Sequence, residues 1–305
     1  MLSRLARLAA LLLLAGASAP PAQAQPDSPE KRVVVDLFLT IQVKKTADLS
    51  NLTPQDFRVT DEGQPQTLES VSRADSLPLF VAILIDSSGS RREQFFRAER
   101  EPIKEFLRQM LRPQDAAIVA AFNHRAWLDA EPTNDMPVLS AAVDRATEAP
   151  RGSSALYDAI WATCEELARS RSRRILVLAS DVVDNASEQL DFRALLDAVH
   201  RTSTSVYIIR LRSANENRRV ERRGTLIARE LAAQTGGLVI SADNPRAVAN
   251  AYREIADVVS AQHVLRYAPS GLTGRSKFRK VRVDILRKGA QVITRAGYIS
   301  PGAPQ

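Results

Sequence analysis

The sequence predicts a doubly wound, mainly parallel α/β domain inserted in a small antiparallel β module that both chain ends form. Two observations predict this fold class. Between residues 78 and 260, short apolar runs rich in β-branched residues alternate with amphipathic helix-like segments, which is typical of a parallel sheet covered by helices. Outside this region, apolar residues recur at every second position, which indicates strands with one exposed face. A chain of 305 residues has room for both parts.

The N-terminus has the pattern of a cleaved secretory signal peptide over residues 1–24. Arg4 and Arg7 precede a short apolar run, and small residues stand at Ala22 and Ala24, where a signal peptidase needs them. The apolar run is too short to cross a bilayer comfortably, and an uncleaved anchor is the alternative. We therefore expect a secreted or periplasmic protein without a transmembrane segment after signal cleavage.

The chain is basic, with a formal net charge of +7. The excess positive charge lies in arginine-rich segments such as residues 169–174 and 218–223, which we interpret as solvated helix surfaces. A nucleic-acid-binding protein usually adds a recognised motif or interleaved aromatic residues, and neither is evident. We therefore expect no nucleic acid partner, while attraction to acidic partners or to an anionic envelope surface stays open.

Residues 25–77 are predicted to form the N-terminal part of the β module. Residues 33–43 alternate loosely and predict one strand. Residues 58–60 and 66–71 flank Asp61, Glu62 and Gly63 in a pattern typical of a hairpin. So few strands cannot hold a core alone, so this part needs partners elsewhere in the chain.

The α/β domain is predicted over residues 78–260, with buried strands at 79–85, 116–122 and 174–180. The helical segment after the first strand contains Pro102, which predicts a kink or a broken helix. The other predicted elements are a short edge strand at 126–128, helices at 138–146, 156–169, 190–200, 225–234 and 245–259, and strands at 205–211 and 238–241.

After the α/β domain, the apolar period changes to two. Residues 263–267, 278–286 and 291–298 read as strands separated by glycine-containing turns. These strands are the natural partners of the N-terminal ones, so residues 261–300 are predicted to complete the β module. The proline- and glycine-containing tail, residues 301–305, is expected to be disordered.

Three segments place oxygen-bearing side chains after a predicted buried strand or before a helix. Asp86, Ser88 and Ser90 follow the first strand, Ser154 precedes a helix, and Asp181 follows the third strand. Because the carboxyl ends of parallel strands meet at one edge of a sheet, we expect these loops to converge. Carboxylates and hydroxyls suit Mg²⁺ better than Zn²⁺. The alternative is a serine-rich turn in which Asp86 or Ser90 caps a helix.

This set of residues resembles the metal-ion-dependent adhesion site of von Willebrand factor type A domains, which have a Rossmann-like fold. The resemblance implies that Ser88 and Ser90 ligate the metal directly through their hydroxyls. It implies that Asp86 and Asp181 act largely through water or hydrogen bonds, and Ser154 stands where the family usually has threonine. It also implies Mg²⁺ or Mn²⁺ as the cofactor, with an open position that an acidic side chain of a protein partner fills.

The resemblance extends to bacterial secreted proteins with an acidobacterial-type von Willebrand A-related domain and covers nearly all of the mature chain. Val182 departs from the family pattern, because a glycine commonly follows the aspartate there. Arg91 and Arg92 directly follow Ser90, where they could repel a cation or attract an acidic partner. The motifs that carry the resemblance lie at residues 52–59 with 61–63, 111–115, 154–160, 234–237, 263–267 and 296–298.

The sequence therefore predicts an adhesion-type binding protein that recognises a partner's acidic residue through Mg²⁺ and catalyses no reaction. The first alternative is a metal-independent envelope scaffold whose pocket is held by hydrogen bonds alone. The second is a Mg²⁺-dependent phosphohydrolase. A serine nucleophile would need a nearby base. None of His124, His200 and His263 stands at a predicted strand end beside Asp86 or Asp181, and His124, which follows one strand, is the nearest candidate.

Overall fold

Fourteen strands form the sheets in the described part of this computed structural model. The predicted signal peptide and the C-terminal tail lie outside the described residues. The structure describes residues 32–43, 48–89, 93–148, 152–211, 218–272 and 276–300. The strands are β1 (Val35–Val43), β2 (Phe57–Asp61), β3 (Gln64–Gln66), β4 (Leu68–Arg73), β5 (Leu79–Asp86), β6 (Ala116–Phe122), β7 (Ala126–Thr133), β8 (Arg173–Ser180), β9 (Ser205–Leu211), β10 (Val239–Ala242), β11 (His263–Tyr267), β12 (Phe278–Ile285), β13 (Ala290–Ile293) and β14 (Gly297–Ile299).

Seven α-helices lie between these strands in the described ranges. None of those helices combines the length and the apolarity that a bilayer span requires. The helices are α1 (Glu93–Ala98), α2 (Arg100–Met110), α3 (Met136–Ala146), α4 (Leu156–Ala168), α5 (Phe192–Thr202), α6 (Arg218–Thr235) and α7 (Pro245–Ser260).

The central sheet has six strands in the order β10-β9-β8-β5-β6-β7. All neighbours pair in parallel except β6 and β7, which pair antiparallel at one edge. Every residue of β5 is buried, because helices cover both faces of the sheet. Val81 and Ile83 pack with α2, α3 and α7 on one face, and Ala82 and Leu84 pack with α4 and α5 on the other. The predicted doubly wound α/β fold is confirmed.

Strands from both ends of the chain pair in two antiparallel sheets. Their orders are β13-β1-β11-β4 and β14-β12-β2-β3. Leu37, Val59 and Leu265 belong to one core cluster that both sheets share. The hairpin between β2 and β3 turns at Glu62 and Gly63, whose φ angles of 52° and 78° are those that a two-residue hairpin turn requires.

Two of the predicted strands are wrong in extent, because each is divided between the two antiparallel sheets. The predicted strand 66–71 separates into β3, which pairs with β2, and β4, which pairs with β11. The predicted strand 291–298 separates into β13 and β14 in the same way. Both sheets bury one face in the shared core, so the alternation of apolar residues does not show where the chain changes sheet.

The helical segment after β5 is broken, as Pro102 predicts. Helix α1 ends at Ala98, and α2 begins at Arg100. Pro102 lies in the first turn of α2, where an N–H group has no partner within the helix. Glu99, between the two helices, is buried, and the Tyr252 hydroxyl donates a hydrogen bond to its carboxylate over 3.5 Å.

The edge strand β7 is longer than predicted, and one arginine-rich segment is not a helix surface. Strand β7 runs for eight residues rather than three, because its exposed charged residues hide the strand pattern. Helix α4 ends at Ala168, and Arg173 opens strand β8 with only 6% of its surface exposed. The interpretation of residues 169–174 as a solvated helix surface is therefore wrong.

The glycine pair of the motif at 234–237 lies where the backbone leaves no room for a side chain. A Cβ atom on Gly237 would stand 1.8 Å from the Val206 carbonyl oxygen. Gly236 has a φ of 74°, and a Cβ there would lie 2.6 Å from the Arg295 nitrogen. Gly236 therefore lets the end of α6 contact the segment between β13 and β14, where Thr235 forms a β-bridge with Arg295. Gly237 lets the chain pass close to β9.

Candidate cation site at the carboxyl edge of the parallel sheet

The structure brings together four of the five residues that the sequence assigns to a metal site. Asp86 ends β5 and Ser88 follows it, Ser154 stands just before α4, and Asp181 directly follows β8. All four are buried. Ser90, the fifth residue of the set, lies outside the described residues.

Hydrogen bonds join the three loops that carry these side chains. The Gly89 N–H donates to the Gly152 carbonyl oxygen over 2.9 Å, which links the first loop to the second. The Asn185 N–H donates to the Ser154 carbonyl oxygen, also over 2.9 Å, which links the third loop to the second. The loops therefore form one cluster at the carboxyl edge of the sheet, where open α/β folds bind ligands.

Asp86 is held by one donor from the loop that follows it and one from strand β8. The Ser88 N–H donates to Asp86 Oδ1 over 3.0 Å, and the Ser180 hydroxyl donates to Asp86 Oδ2 over 2.6 Å. Ser180 Oγ also accepts the Val182 N–H over 2.9 Å. Ser180 thus couples the ends of β5 and β8. The sequence places it next to Asp181 but does not indicate this coupling.

Ser154 contributes a buried hydroxyl to the cluster. Its Oγ is buried and has no hydrogen-bond partner within the part of the chain that the structure describes. The backbone of Ser154 is held firmly, because its N–H donates to Asn185 Oδ1 over 2.7 Å and its carbonyl oxygen accepts the Ala186 N–H over 3.0 Å. A buried polar atom without a partner costs about 1–3 kcal/mol, so this hydroxyl indicates a place for a ligand.

The chemistry of the cluster fits a hard cation. Two carboxylates and the serine hydroxyls offer only oxygen atoms, which suit Mg²⁺. Among the described residues, no group of three or more His, Cys, Asp and Glu side chains is placed to hold a metal. A cation at this edge therefore depends on the hydroxyls as much as on Asp86 and Asp181.

Val182 has a backbone conformation that usually belongs to glycine. Its φ is 57°, and a β-branched residue is rare in this left-handed region. Its side chain is buried in the same core cluster as α4 and α5. Helix α6 packs tightly on this turn, since a Cβ on Gly224 would stand 2.8 Å from the Asp181 carbonyl oxygen. The turn explains why a glycine is favoured after this aspartate, and Val182 compensates for the strain by packing.

Asp184 and Asn185, the two residues after Val183, hold the third loop in place. Asp184 Oδ1 accepts hydrogen bonds from the Tyr157 N–H over 3.2 Å and from the Ser187 hydroxyl over 2.5 Å. It thereby satisfies a backbone donor in the first turn of α4. Burial raises the pKa of Tyr157, and the Asp184 charge raises it further. Asn185 positions Ser154, a role that the sequence does not indicate.

Of the three histidines, His124 lies at this edge of the sheet. It follows β6, is exposed, and its Nδ1 is 3.6 Å from where a Cβ of Gly152 would lie. Ser154 Oγ has no hydrogen-bond partner in the described part of the chain, so no hydrogen bond joins it to His124. His200 lies in the last turn of α5 and His263 begins β11, and burial lowers the pKa of both.

Comparison with known proteins identifies the fold. No protein-family model matches the sequence, and no curated protein matches it. A solved von Willebrand factor type A protein from Catenulispora acidiphila matches with a TM-score of 0.53 and 13% identity, over 90% of this chain and 76% of that one. The open conformation of the pilus adhesin SpaC from Lactobacillus rhamnosus GG matches with a TM-score of 0.50 and 10% identity, over 86% of this chain and 48% of the adhesin. The chain therefore has the von Willebrand factor type A fold.

Proposed function

We propose that this protein is a secreted or periplasmic, adhesion-type binding protein without chemical turnover. It would hold Mg²⁺ or Mn²⁺ through Ser88, Ser90 and Ser154, with Asp86 and Asp181 acting through water or hydrogen bonds. When bound, the cation supplies an electron-poor centre for a carboxylate oxygen of a protein partner. The observation that carries the proposal is the buried Ser154 hydroxyl, which has no partner among the described residues. The pilus adhesin among the proteins of similar fold supports an adhesion-type role.

The charges around the cluster favour an acidic partner. Helix α6 packs on the turn at Asp181 through Gly224, and its first turns carry the exposed residues Arg218, Arg222 and Arg223. A group of positive charges beside a binding site attracts acidic surfaces and speeds their association, and salt weakens the effect. We therefore expect the partner to present its carboxylate within an acidic surface.

Calorimetric titration with Mn²⁺ and Mg²⁺ tests the cation site. The key variant is Ser154→Ala, because it removes one oxygen ligand and breaks no described hydrogen bond. We expect its cation affinity to fall about tenfold or more, since a charge-assisted contact contributes about 1.5–3 kcal/mol. Ser153→Ala is the matched control, because this neighbouring serine is exposed. Equal affinities of both variants and the wild type, or no binding to any of them, would contradict the cation site.

A metal-independent scaffold is the second candidate, and one observation favours it. Both Asp86 carboxylate oxygens accept hydrogen bonds inside the protein, and the Asn185 contacts hold the loops together without an ion. Capture of partners from an envelope extract, with Mg²⁺ and then with EDTA, separates the candidates. Release by EDTA, and loss of capture with Ser154→Ala, support the cation-dependent function. Capture that survives both changes supports the scaffold.

A further inference from the structure

A second polar cavity lies at the opposite edge of the parallel sheet. Its volume is about 420 Å³, and it is lined by residues of β1, the start of β8, β11 and the segment around β14. Arg173 and Arg174 open strand β8, whereas Asp181 follows the other end of the same strand. An eight-residue strand is roughly 23 Å long, so this cavity is separate from the candidate cation site.

The lining of this cavity carries a large excess of positive charge. Asp36 is the one acidic side chain among its described lining residues. That carboxylate is already engaged, because Arg266 donates to both of its oxygens over 2.8 and 2.9 Å. The arginines that line the cavity are Arg171, Arg173, Arg174, Arg266 and Arg295.

Arg173 is buried and Arg174 is half-buried, and each has a donor left over. Arg173 uses Nη2 to donate to the Val259 carbonyl oxygen over 3.0 Å and to the Gln262 side chain. Arg174 uses Nη1 to donate to the Ser170 carbonyl oxygen over 3.0 Å. The Nε atoms of both are buried and have no hydrogen-bond partner in the described ranges. A buried N–H of a cation that lacks an acceptor is costly, so both groups are suited to a further acceptor.

Two guanidinium groups in the cavity also repel each other. Burial and, to a smaller extent, the charge of Arg174 lower the pKa of Arg295 to about 10. Burial likewise lowers the pKa of Arg174. Arg295 Nη2 donates to the Asp36 carbonyl oxygen over 2.9 Å, which fixes its position without neutralising its charge. An anion in the cavity would remove this repulsion.

We propose that this cavity binds a phosphate group, held by Arg174 and Arg295 with Arg173 as a further donor. Guanidinium groups match the geometry of phosphate oxygens and bind them through paired hydrogen bonds. A phosphate monoester carries a charge of about −1.5 to −2 near pH 7, so it offsets nearly two guanidinium charges, whereas a single carboxylate offsets one. The source of the group is either a small phosphorylated solute or the headgroup of an anionic lipid.

Calorimetric titration of the full protein with inorganic phosphate, at constant ionic strength, tests the proposal. We expect saturable binding that weakens about tenfold or more in Arg174→Gln and in Arg295→Gln, because each change removes a charged hydrogen bond. Arg171→Gln changes an exposed lining position and does not disturb buried contacts. We expect it to lower the affinity for phosphate less than the other two changes do. Arg282→Gln is the control, since Arg282 is exposed and pairs with Asp284 on its own strand.

Several outcomes would overturn the proposal. They are the absence of saturable phosphate binding, equal affinity in all four variants, and tighter binding of acetate than of phosphate. Two further titrations identify the source of the group. Binding of glycerol 3-phosphate supports a soluble ligand, and binding to phosphatidylcholine vesicles only when they contain phosphatidic acid supports a lipid headgroup. Failure of both these ligands to bind also contradicts the proposal.

Discussion

The buried polar groups around Asp61 in the β module and those at the two ends of the parallel sheet differ in how completely they are paired. In the β module, Asp61 is fully buried and accepts hydrogen bonds from Arg279 Nε over 2.8 Å, from the Tyr298 hydroxyl over 2.8 Å and from the Tyr267 hydroxyl over 3.0 Å. The other two guanidinium nitrogens of Arg279 donate to carbonyl oxygens of Ser270 and Gly271. Every charge and donor of this group has a partner within the module.

At both ends of the parallel sheet, by contrast, some buried atoms lack a partner among the described residues. These atoms are Ser154 Oγ at the carboxyl edge and the Nε atoms of Arg173 and Arg174 at the amino edge. A complete network stabilises one conformation, whereas an incomplete one carries a cost that a ligand can remove. Fully paired buried groups therefore stabilise the fold, whereas buried groups without a partner are suited to bind a ligand. Removal of a group of the first kind should lower the free energy of unfolding, and removal of one of the second kind should raise it.

The largest effect is expected when the complete network is broken. Asp61→Ala leaves the Arg279 charge and two tyrosine hydroxyls buried without their acceptor, so we expect the free energy of unfolding to fall by about 3–5 kcal/mol. Urea unfolding measures this change. Asp284→Ala is the control, because Asp284 pairs with Arg282 at an exposed position, where an ion pair contributes about 0–1 kcal/mol. A similar loss in both variants would show that the Asp61 network does not hold the module together.

A smaller effect of opposite sign is expected at the incomplete network. Ser154→Ala removes a buried hydroxyl that has no described partner, so we expect the free energy of unfolding in EDTA to rise by about 1 kcal/mol. Ser180→Ala is the control within the same cluster. It removes a hydrogen bond to the Asp86 carboxylate, and we expect it to destabilise the protein by about 1.5–3 kcal/mol. If Ser154→Ala destabilises the protein as much as Ser180→Ala does, the Ser154 hydroxyl is part of a complete network and the comparison fails.

Most of the fold could be predicted from the apolar pattern of the chain. Strand β6 matches the predicted residues 116–122, which form an uninterrupted apolar run, and β11 matches residues 263–267, where the apolar period is two. The alternation between strands and helices also predicts which strand ends meet at the carboxyl edge, so it brings Asp86, Ser154 and Asp181 into one region. The pattern fails where a strand leaves one antiparallel sheet for the other, because the burial of alternate residues continues through that change.

The partners of buried polar atoms could not be predicted. Ser180 and Asn185 position the candidate cation site through hydrogen bonds across the sheet, and a hydrogen bond between residues far apart in sequence leaves no local pattern. The run of arginine and serine around Arg173 predicts an exposed residue. Arg173 is buried because strands of the β module cover that edge of the sheet, with Phe38 of β1 lying 5.3 Å from its guanidinium carbon.

The smallest effect is expected at a partly exposed ion pair of the β module. Arg287 Nε donates to Asp56 Oδ1 over 2.6 Å, and this hydrogen bond, with that from the Thr53 N–H, lowers the pKa of Asp56 from its ordinary value of 3.8 to about 2. The folded state therefore favours the ionised carboxylate. Its contribution to stability is fully present above pH 4 and is lost as the pH falls through about 2.

Asp56→Asn tests this contribution, because it removes the charge and keeps the side-chain shape. We expect the variant to unfold slightly more easily than the wild type at pH 7, and the difference to shrink between about pH 4 and pH 2. Urea unfolding at a series of pH values measures it, and 0.5 M salt should reduce the difference at pH 7, since salt screens exposed charges at about this concentration. A difference that stays constant down to pH 2, or that salt does not change, would show that the ion pair with Arg287 does not stabilise the module. A fully paired but partly exposed ion pair would then contribute no measurable stability. Burial alone would account for the difference between this ion pair and the network around Asp61.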